Sequence, residues 1–189
     1  MTTECQIRPI QAADRNLFAG ALELLNRTQG RGLFAASYLD ERTADPDSLV
    51  LGAFHDSELV AVGVAQVIRD FEFYLPFDAQ IADELNDKVV GSFSTLSVRE
   101  DLQGRGIGQG ISQARLRWLR ERGCDVILGV SWVSGQRHTS DRVFEKLGFH
   151  AVRLVEEFFR VAALKNPFEC PACRVTPCVC SAVLYRFDL

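Results

Sequence analysis

Four of the chain's six cysteines fall within eleven residues, at Cys170, Cys173, Cys178 and Cys180 in CPACRVTPCVC. Two close pairs, C-x2-C and C-x-C, joined by a turn can present four soft thiolates to one tetrahedral ion, a donor set that suits zinc. Free thiols and disulfides are the alternatives. Disulfides need an oxidising compartment, and Cys178 and Cys180 do not readily bond each other. Four thiolates fill a zinc shell and leave no position for a reactive water, so a zinc here is structural. Residues 170–180 therefore read as a zinc-binding loop, and the chemistry has to be sought elsewhere.

A second stretch, LSVREDLQGRGIGQG, carries Gly104, Gly106, Gly108 and Gly110 at alternate positions between an apolar run and a helical pattern. Glycines there let the backbone turn sharply and bring free helix-terminal N–H groups against a negatively charged group with no Cβ in the way. Gln103 and Arg105 add side-chain donors, arginine as a fork that fits phosphate oxygens. The pattern suits a pyrophosphate. It is not a Walker loop, because no lysine lies in the segment. Nor is it a dinucleotide fingerprint, which belongs after the first strand with an acidic residue at a strand's end. Hydrolase chemistry has no support: His55, His138 and His150 show no Ser-His-Asp spacing, and no nucleophile elbow is present.

The elements that must position these groups follow from periodicity. ECQIRPI reads as a strand, and AADRNLFAGALELLNRT as a helix with Leu17, Ala21, Leu24 and Leu25 on one stripe and Asp14 as N-cap. Strands over 49–55 and 59–68 form a hairpin about Asp56-Ser57. The aromatic stretch from Phe71 to Phe77 caps a core. A strand ends at Val98, and the next helix buries Ile107, Ile111, Ala114 and Trp118 while Arg117 and Arg120 stay in solvent. The apolar CDVILGVSW is a strand covered on both faces, and TSDRVFEKLGF a short helix stopped at Gly148. Strand-like runs flank the cysteines, in HAVRLVEEFFRVA and SAVLYRFDL. One mixed α/β layer structure, a single domain over 1–189, results.

Together, LSVREDLQGRGIGQG and the later RVFEKLGF resemble the GNAT superfamily of acetyl-CoA-dependent N-acetyltransferases. The first matches Q/R-x-x-G-x-G/A directly after a strand, through Gln103, Gly106 and Gly108. The second matches the helix and Gly-Phe that end the family core. The resemblance spans about residues 4–165, with the last strand at 182–188. It implies a mostly antiparallel twisted sheet of about seven strands flanked by helices, splayed between the strands near 93–98 and 125–131. In that gap Leu96, Ser97 and Val98 would pair with the pantetheine arm. Gln103, Gly104, Arg105, Gly106, Ile107 and Gly108 would hold the pyrophosphate, and an N–H near Val98 would polarise the thioester carbonyl. Arg137 and Ser140 would border the pantetheine.

Two departures concern proton transfer. Many family members carry a tyrosine where this chain has Phe144, which cannot donate a proton. Some carry a glutamate in the region that reads GSFSTLSV here. Glu72, Ser94 and Tyr185 are the weak substitutes, beside Asp70, Glu156 and Glu157, each of which also reads as a surface or core group.

A net charge of −4 and a pI near 5.4 give no electrostatic footprint for nucleic acid or an anionic membrane. The polar N-terminus lacks the features of a secretory signal, and no run is long enough for a membrane span, so a cytoplasmic location is expected. The expected partners are acetyl-CoA and an amine acceptor, small molecule or peptide, with a homodimer open. Two alternatives are a catalytically silent CoA-binding sensor and a zinc-dependent adaptor for nucleic acid or protein.

Overall fold

The computed structural model describes residues 5–133 and 140–189. One seven-stranded sheet runs through it in the order β1-β2-β3-β4-β5-β7-β6. Its strands are β1 (Gln6–Pro9), β2 (Ser48–His55), β3 (Glu58–Ile68), β4 (Val90–Val98), β5 (Val126–Val133), β6 (His150–Val155) and β7 (Ser181–Asp188). Every neighbouring pair is antiparallel except β4 and β5. The β2–β3 hairpin turns at Asp56 and Ser57, both at positive φ (48° and 67°), the conformation of a tight turn whose twist matches the strands.

On one face lie α4 (Ile107–Glu121) and α5 (Asp141–Lys146), packed over Phe93, Ile127, Phe149 and Tyr185. On the other lie α1 (Arg15–Gln29) and α2 (Tyr38–Ala44), over Val50, Val62 and Val64. The aromatic segment and the short α3 (Ile81–Glu84) cover the same face further along, with Tyr74 and Phe77 buried against Val90, Val126 and Leu128. The capping role expected of these aromatics holds. No described helix is long and apolar enough to cross a membrane.

Three elements differ from the sequence reading. Between the first helix and the hairpin, where the sequence reading has no element, lies α2. The run after β6 does not continue as strand: residues 156–158 break it, and α6 (Phe159–Lys165) follows, so the cysteines come after a helix and not directly after a strand. On α4, Trp118 is only partly buried, while Ser112, Arg115, Leu116 and Leu119 are buried with Ile107 and Ile111. An arginine on the core face is something periodicity could not foresee. Asp14 does precede α1, but its carboxylate accepts from the backbone of Gln11 (2.9 Å) and caps no N–H of the helix.

Candidate active site

The site begins where β4 leaves β5. The two strands pair in parallel from Val90 with Val126 to Phe93 with Gly129, and pairing ends there although both strands continue. A β-bulge lies at the same point. Val64 faces Thr95 and Ala65 faces Phe93, which leaves Ser94 as an extra residue on β4. The inserted residue inverts the alternation. Phe93 lies on the α4 side, as do Leu96 and Val98 beyond the bulge, while Thr95 and Ser97 turn toward α1.

Side chains bond β4 beyond the point where β5 leaves it. Thr28 Oγ1, at the end of α1, donates to Ser97 Oγ at 2.6 Å. Gln29 Nε2 donates to the Leu96 carbonyl (3.1 Å) and to Ser97 Oγ (2.9 Å), and also lies against Thr95 Oγ1. From the α4 side, Arg115 Nη1 donates to the carbonyls of Thr95 (3.0 Å) and Val64 (3.2 Å), the two residues opposed at the bulge, and Nη2 to Ser112 Oγ (2.9 Å). Burial pulls the Arg115 pKa down to about 9, which still leaves it charged at neutral pH. Thr28, Gln29 and Arg115 escaped the sequence reading because nothing in their spacing ties them to β4.

Beyond Val98 the chain makes one short 3-10 turn and reaches the glycines. Gly104 and Gly106 sit at φ of 76° and 87°, and a Cβ on either would meet nothing within 4 Å, so the turn faces open space. Gln103 Nε2 donates to the Val98 carbonyl at 3.0 Å and closes the turn onto the strand. The first backbone bond of α4 runs from Gly110 N–H to Gly106 O, and the N–H groups ahead of it are the orphan donors of a helix N-terminus. Ile107 packs into the core, so only its backbone faces the turn; Arg105 is exposed. The structure thus gathers Leu96, Ser97, Val98 and Gln103 to Gly108 along one edge. Ser140 lies across β5, 2.7 Å from Ser131 Oγ, whose hydroxyl also reaches Asp141. Arg137 lies outside the described residues.

Phe144 lies against the backbone of Gly129: a Cβ there would fall 2.3 Å from its Cε1. Tyr185, paired with Gly129 across the β5–β7 ladder, stacks on Phe144 with centroids 4.8 Å apart and planes 10° from parallel. Burial above all, then Asp141 and Glu145, push the Tyr185 phenol up to about 12, and its hydroxyl bonds Asp141. Glu72 is exposed on the aromatic segment, and Ser94, also exposed, donates to Gln66 at 2.7 Å.

The four cysteine sulfurs lie within 4.8 Å of one another. Cys170 and Cys180 Sγ are 3.8 Å apart, Cys173 and Cys178 Sγ 3.7 Å. A tetrahedron of thiolates at about 2.3 Å from zinc has edges of about 3.8 Å, whereas a disulfide would bring sulfurs to about 2.05 Å. The Cys173 N–H donates to Cys170 Sγ at 3.3 Å, fixing the first pair. Burial pushes the Cys178 and Cys180 thiols up, Cys180 to about 11, so thiolates there call for a cation. The donor set fits a divalent soft metal. Cys170, Cys178 and Cys180 pack with Phe168, Ala163 and Trp132, the last near the end of β5.

The acetyltransferase (GNAT) family model matches residues 19–149. A mycothiol acetyltransferase of Saccharomonospora viridis is 36% identical over 63 residues, which are 33% of this chain and 20% of that protein, so the chain spans about a fifth of that relative's length. Among solved structures, the ribosomal-protein-S18-alanine N-acetyltransferase of Escherichia coli superposes with a TM-score of 0.65 at 13% identity, over 98% of this chain and 94% of that one. A Bacillus subtilis acetyltransferase in complex with CoA gives 0.64 at 15%, over 98% and 99%. The matched residues include both the separated strands and the glycine turn that continues from β4, and the chain belongs to the GNAT family of acetyltransferases.

Proposed function

We propose that the protein transfers the acetyl group of acetyl-CoA to a primary amine by direct attack. The observation that carries this reading is the end of β4–β5 pairing at Phe93 and Gly129, followed within ten residues by the open turn from Gln103 to Gly108. An extended arm entering the gap meets the backbone of Leu96, Ser97 and Val98, and its pyrophosphate meets the free N–H groups of α4 and the Arg105 fork. Bordered by Ser140 on the far side, the thioester carbonyl would lie beside β4, where a backbone N–H stabilises the oxyanion. The amine lone pair forms the C–N bond, the C–S bond breaks, and the proton lost by the nitrogen passes directly or through water to the departing CoA thiolate, giving the amide and free CoA thiol. That the Bacillus subtilis acetyltransferase is in complex with CoA supports CoA as the cosubstrate.

Among the described residues the side chains bonded to β4 beyond Phe93 are those of Thr28, Gln29, Gln66, Gln103 and Arg115 and include no carboxylate, so the attacking amine arrives already neutral or loses its proton to water. Zinc on Cys170, Cys173, Cys178 and Cys180 would supply a fixed tetrahedral cross-link and no reactive position. It would anchor the connection between α6 and β7.

Purified protein is tested for release of free CoA thiol from acetyl-CoA with a panel of primary amines. Saturable release dependent on the amine is expected. Tight CoA binding with no turnover on any amine would instead make the protein a CoA-binding sensor.

A further inference from the structure

A cavity of about 320 Å³ opens between the C-terminal end of α1 and the cysteine loop, lined by Asn26, Arg27, Arg31, Glu169 and Arg174 among others. A neighbouring cavity shares Arg31 and Glu169 with it. Its walls are tied together. Arg31 N–H donates to Glu169 O (3.1 Å) and Glu169 N–H to Arg31 O (2.9 Å), a two-bond bridge between the segment after α1 and the segment before Cys170. Gly30 permits the approach: a Cβ there would lie 2.7 Å from the Phe168 ring. Asn26 holds the outgoing chain, accepting from Phe34 N–H at 3.2 Å. Arg174, between the cysteine pairs, is presented from a backbone at φ 56°.

The charge of this cavity runs against that of the molecule. The protein is acidic, and several of its arginines pair with carboxylates: Arg8 with Asp14, Arg15 with Asp40, Arg99 with Glu58 and Asp101, Arg186 with Asp188. Arg27, Arg31 and Arg174 form no ion pair among the described residues, and they converge on one concave site whose only carboxylate is Glu169. Three unpaired guanidiniums against one carboxylate make an oxyanion site. Its location is also specific. Arg27 immediately precedes Thr28 and Gln29, the two residues bonded to Ser97 and Leu96 on the open edge of β4. The cavity therefore adjoins the same end of α1 that holds Ser97 and Leu96.

We propose that this cavity is the acceptor pocket and that it selects a small amine carrying an oxyanion, carboxylate or phosphate, with Arg27, Arg31 and Arg174 reading the anion. The inference rests on the acetyl-transfer reading above and adds to it the chemical class of the acceptor. It also gives the cysteine loop a second task, since the loop that a metal would fix supplies one of the three arginines.

The test uses matched amines: an aminocarboxylate, an aminoalkyl phosphate, and their neutral amide and alcohol counterparts. Turnover is read as CoA thiol release and equilibrium binding by calorimetry on CoA-loaded protein, for the wild type and for Arg31→Ala/Arg174→Gln, with folding checked by circular dichroism. The wild type should prefer an anionic over a neutral acceptor by at least about tenfold in kcat/KM, and the double variant should lose that preference. Comparing the carboxylate and phosphate arms identifies which oxyanion the site takes. Equal use of anionic and neutral amines by the wild type, or an unchanged preference in the variant, overturns the inference and leaves acetyl transfer standing. Arginine-dependent binding of the anionic amines without turnover supports the pocket and removes the acetyl-transfer reading. Absence of such binding together with absence of turnover overturns both.

Discussion

The guanidinium carbon of Arg115 lies 4.0 Å from the centroid of the Phe93 ring, on the last β4 residue that pairs with β5. The same guanidinium bonds the carbonyls of Thr95 and Val64 across the bulge. One buried cation thus holds the point where the sheet opens.

Arg115→Met would keep most of the volume and remove the charged donor from two carbonyls, each bond at about 1–3 kcal/mol. A net loss of about 2 kcal/mol is expected after relief of the guanidinium's own desolvation, a fall in Tm of about 4–8 °C. Urea and thermal unfolding measure it. A variant as stable as the wild type would mean that burying the charge costs as much as its bonds return.

Gly106→Glu places a carboxylate where the pyrophosphate is proposed to sit. The new Cβ meets nothing within 4 Å, but φ of 87° imposes backbone strain of about 1–3 kcal/mol. CoA affinity should fall by at least about 100-fold, as expected for losing charge-assisted bonds worth roughly 1.5–3 kcal/mol each. The protein should remain folded. Calorimetric titration with CoA beside a melting curve separates the two effects, and an unchanged Kd would remove the phosphate role from this turn.

Cys173→Ser changes the least buried member of the cysteine cluster, so it disturbs the packing around the loop least. Release of metal and a loss of about 2 kcal/mol, or about 4–8 °C in Tm, are expected, well below the gain metal gives a small peptide because the sheet has hydrophobic clusters of its own. Elemental analysis of the wild type is the sharper check: protein purified without chelators and free of zinc contradicts the site.

Tyr185 has its hydroxyl on Asp141 and its pKa pushed up to about 12 by burial and then by the acids of α5. As the neutral phenol is the form the fold favours, its contribution to stability is complete below the unfolded value near 10 and lost as pH rises through about 12. Alkaline unfolding of Tyr185→Phe should therefore be displaced upward relative to its own neutral-pH stability. Because the phenol is committed to Asp141, kcat of Tyr185→Phe should stay within about threefold of wild type, where loss of a true general acid removes about 100-fold or more. A loss on that larger scale would make Tyr185 the proton donor in place of the missing hydroxyl at Phe144.

Much of this site is local in the chain and was legible there. The turn from Gln103 to Gly108 needs only glycines at fixed offsets between a strand and a helix, and a metal cluster needs four cysteines in eleven residues; both constraints act over a few peptide units. Strand and helix periods likewise follow from which face each residue must bury. What periodicity cannot reach is contact between residues far apart in sequence. The bulge at Ser94 depends on its register with β3, and an arginine on the core face of α4 makes sense only once the carbonyls of Thr95 and Val64 lie opposite it. Thr28 and Gln29 read as the end of an amphipathic helix until β4 parts from β5 and leaves an edge to satisfy. The same holds for Arg27, Arg31 and Arg174, about 145 residues apart at the extremes, which folding alone brings to one cavity through the bridge between Arg31 and Glu169. The sequence by itself determined the cradle and the cysteine ligands, because each is built from adjacent residues; the tertiary structure decided how the strands open and which charges face the opening, because unpaired backbone and unpaired charge exist only relative to partners brought from elsewhere in the chain.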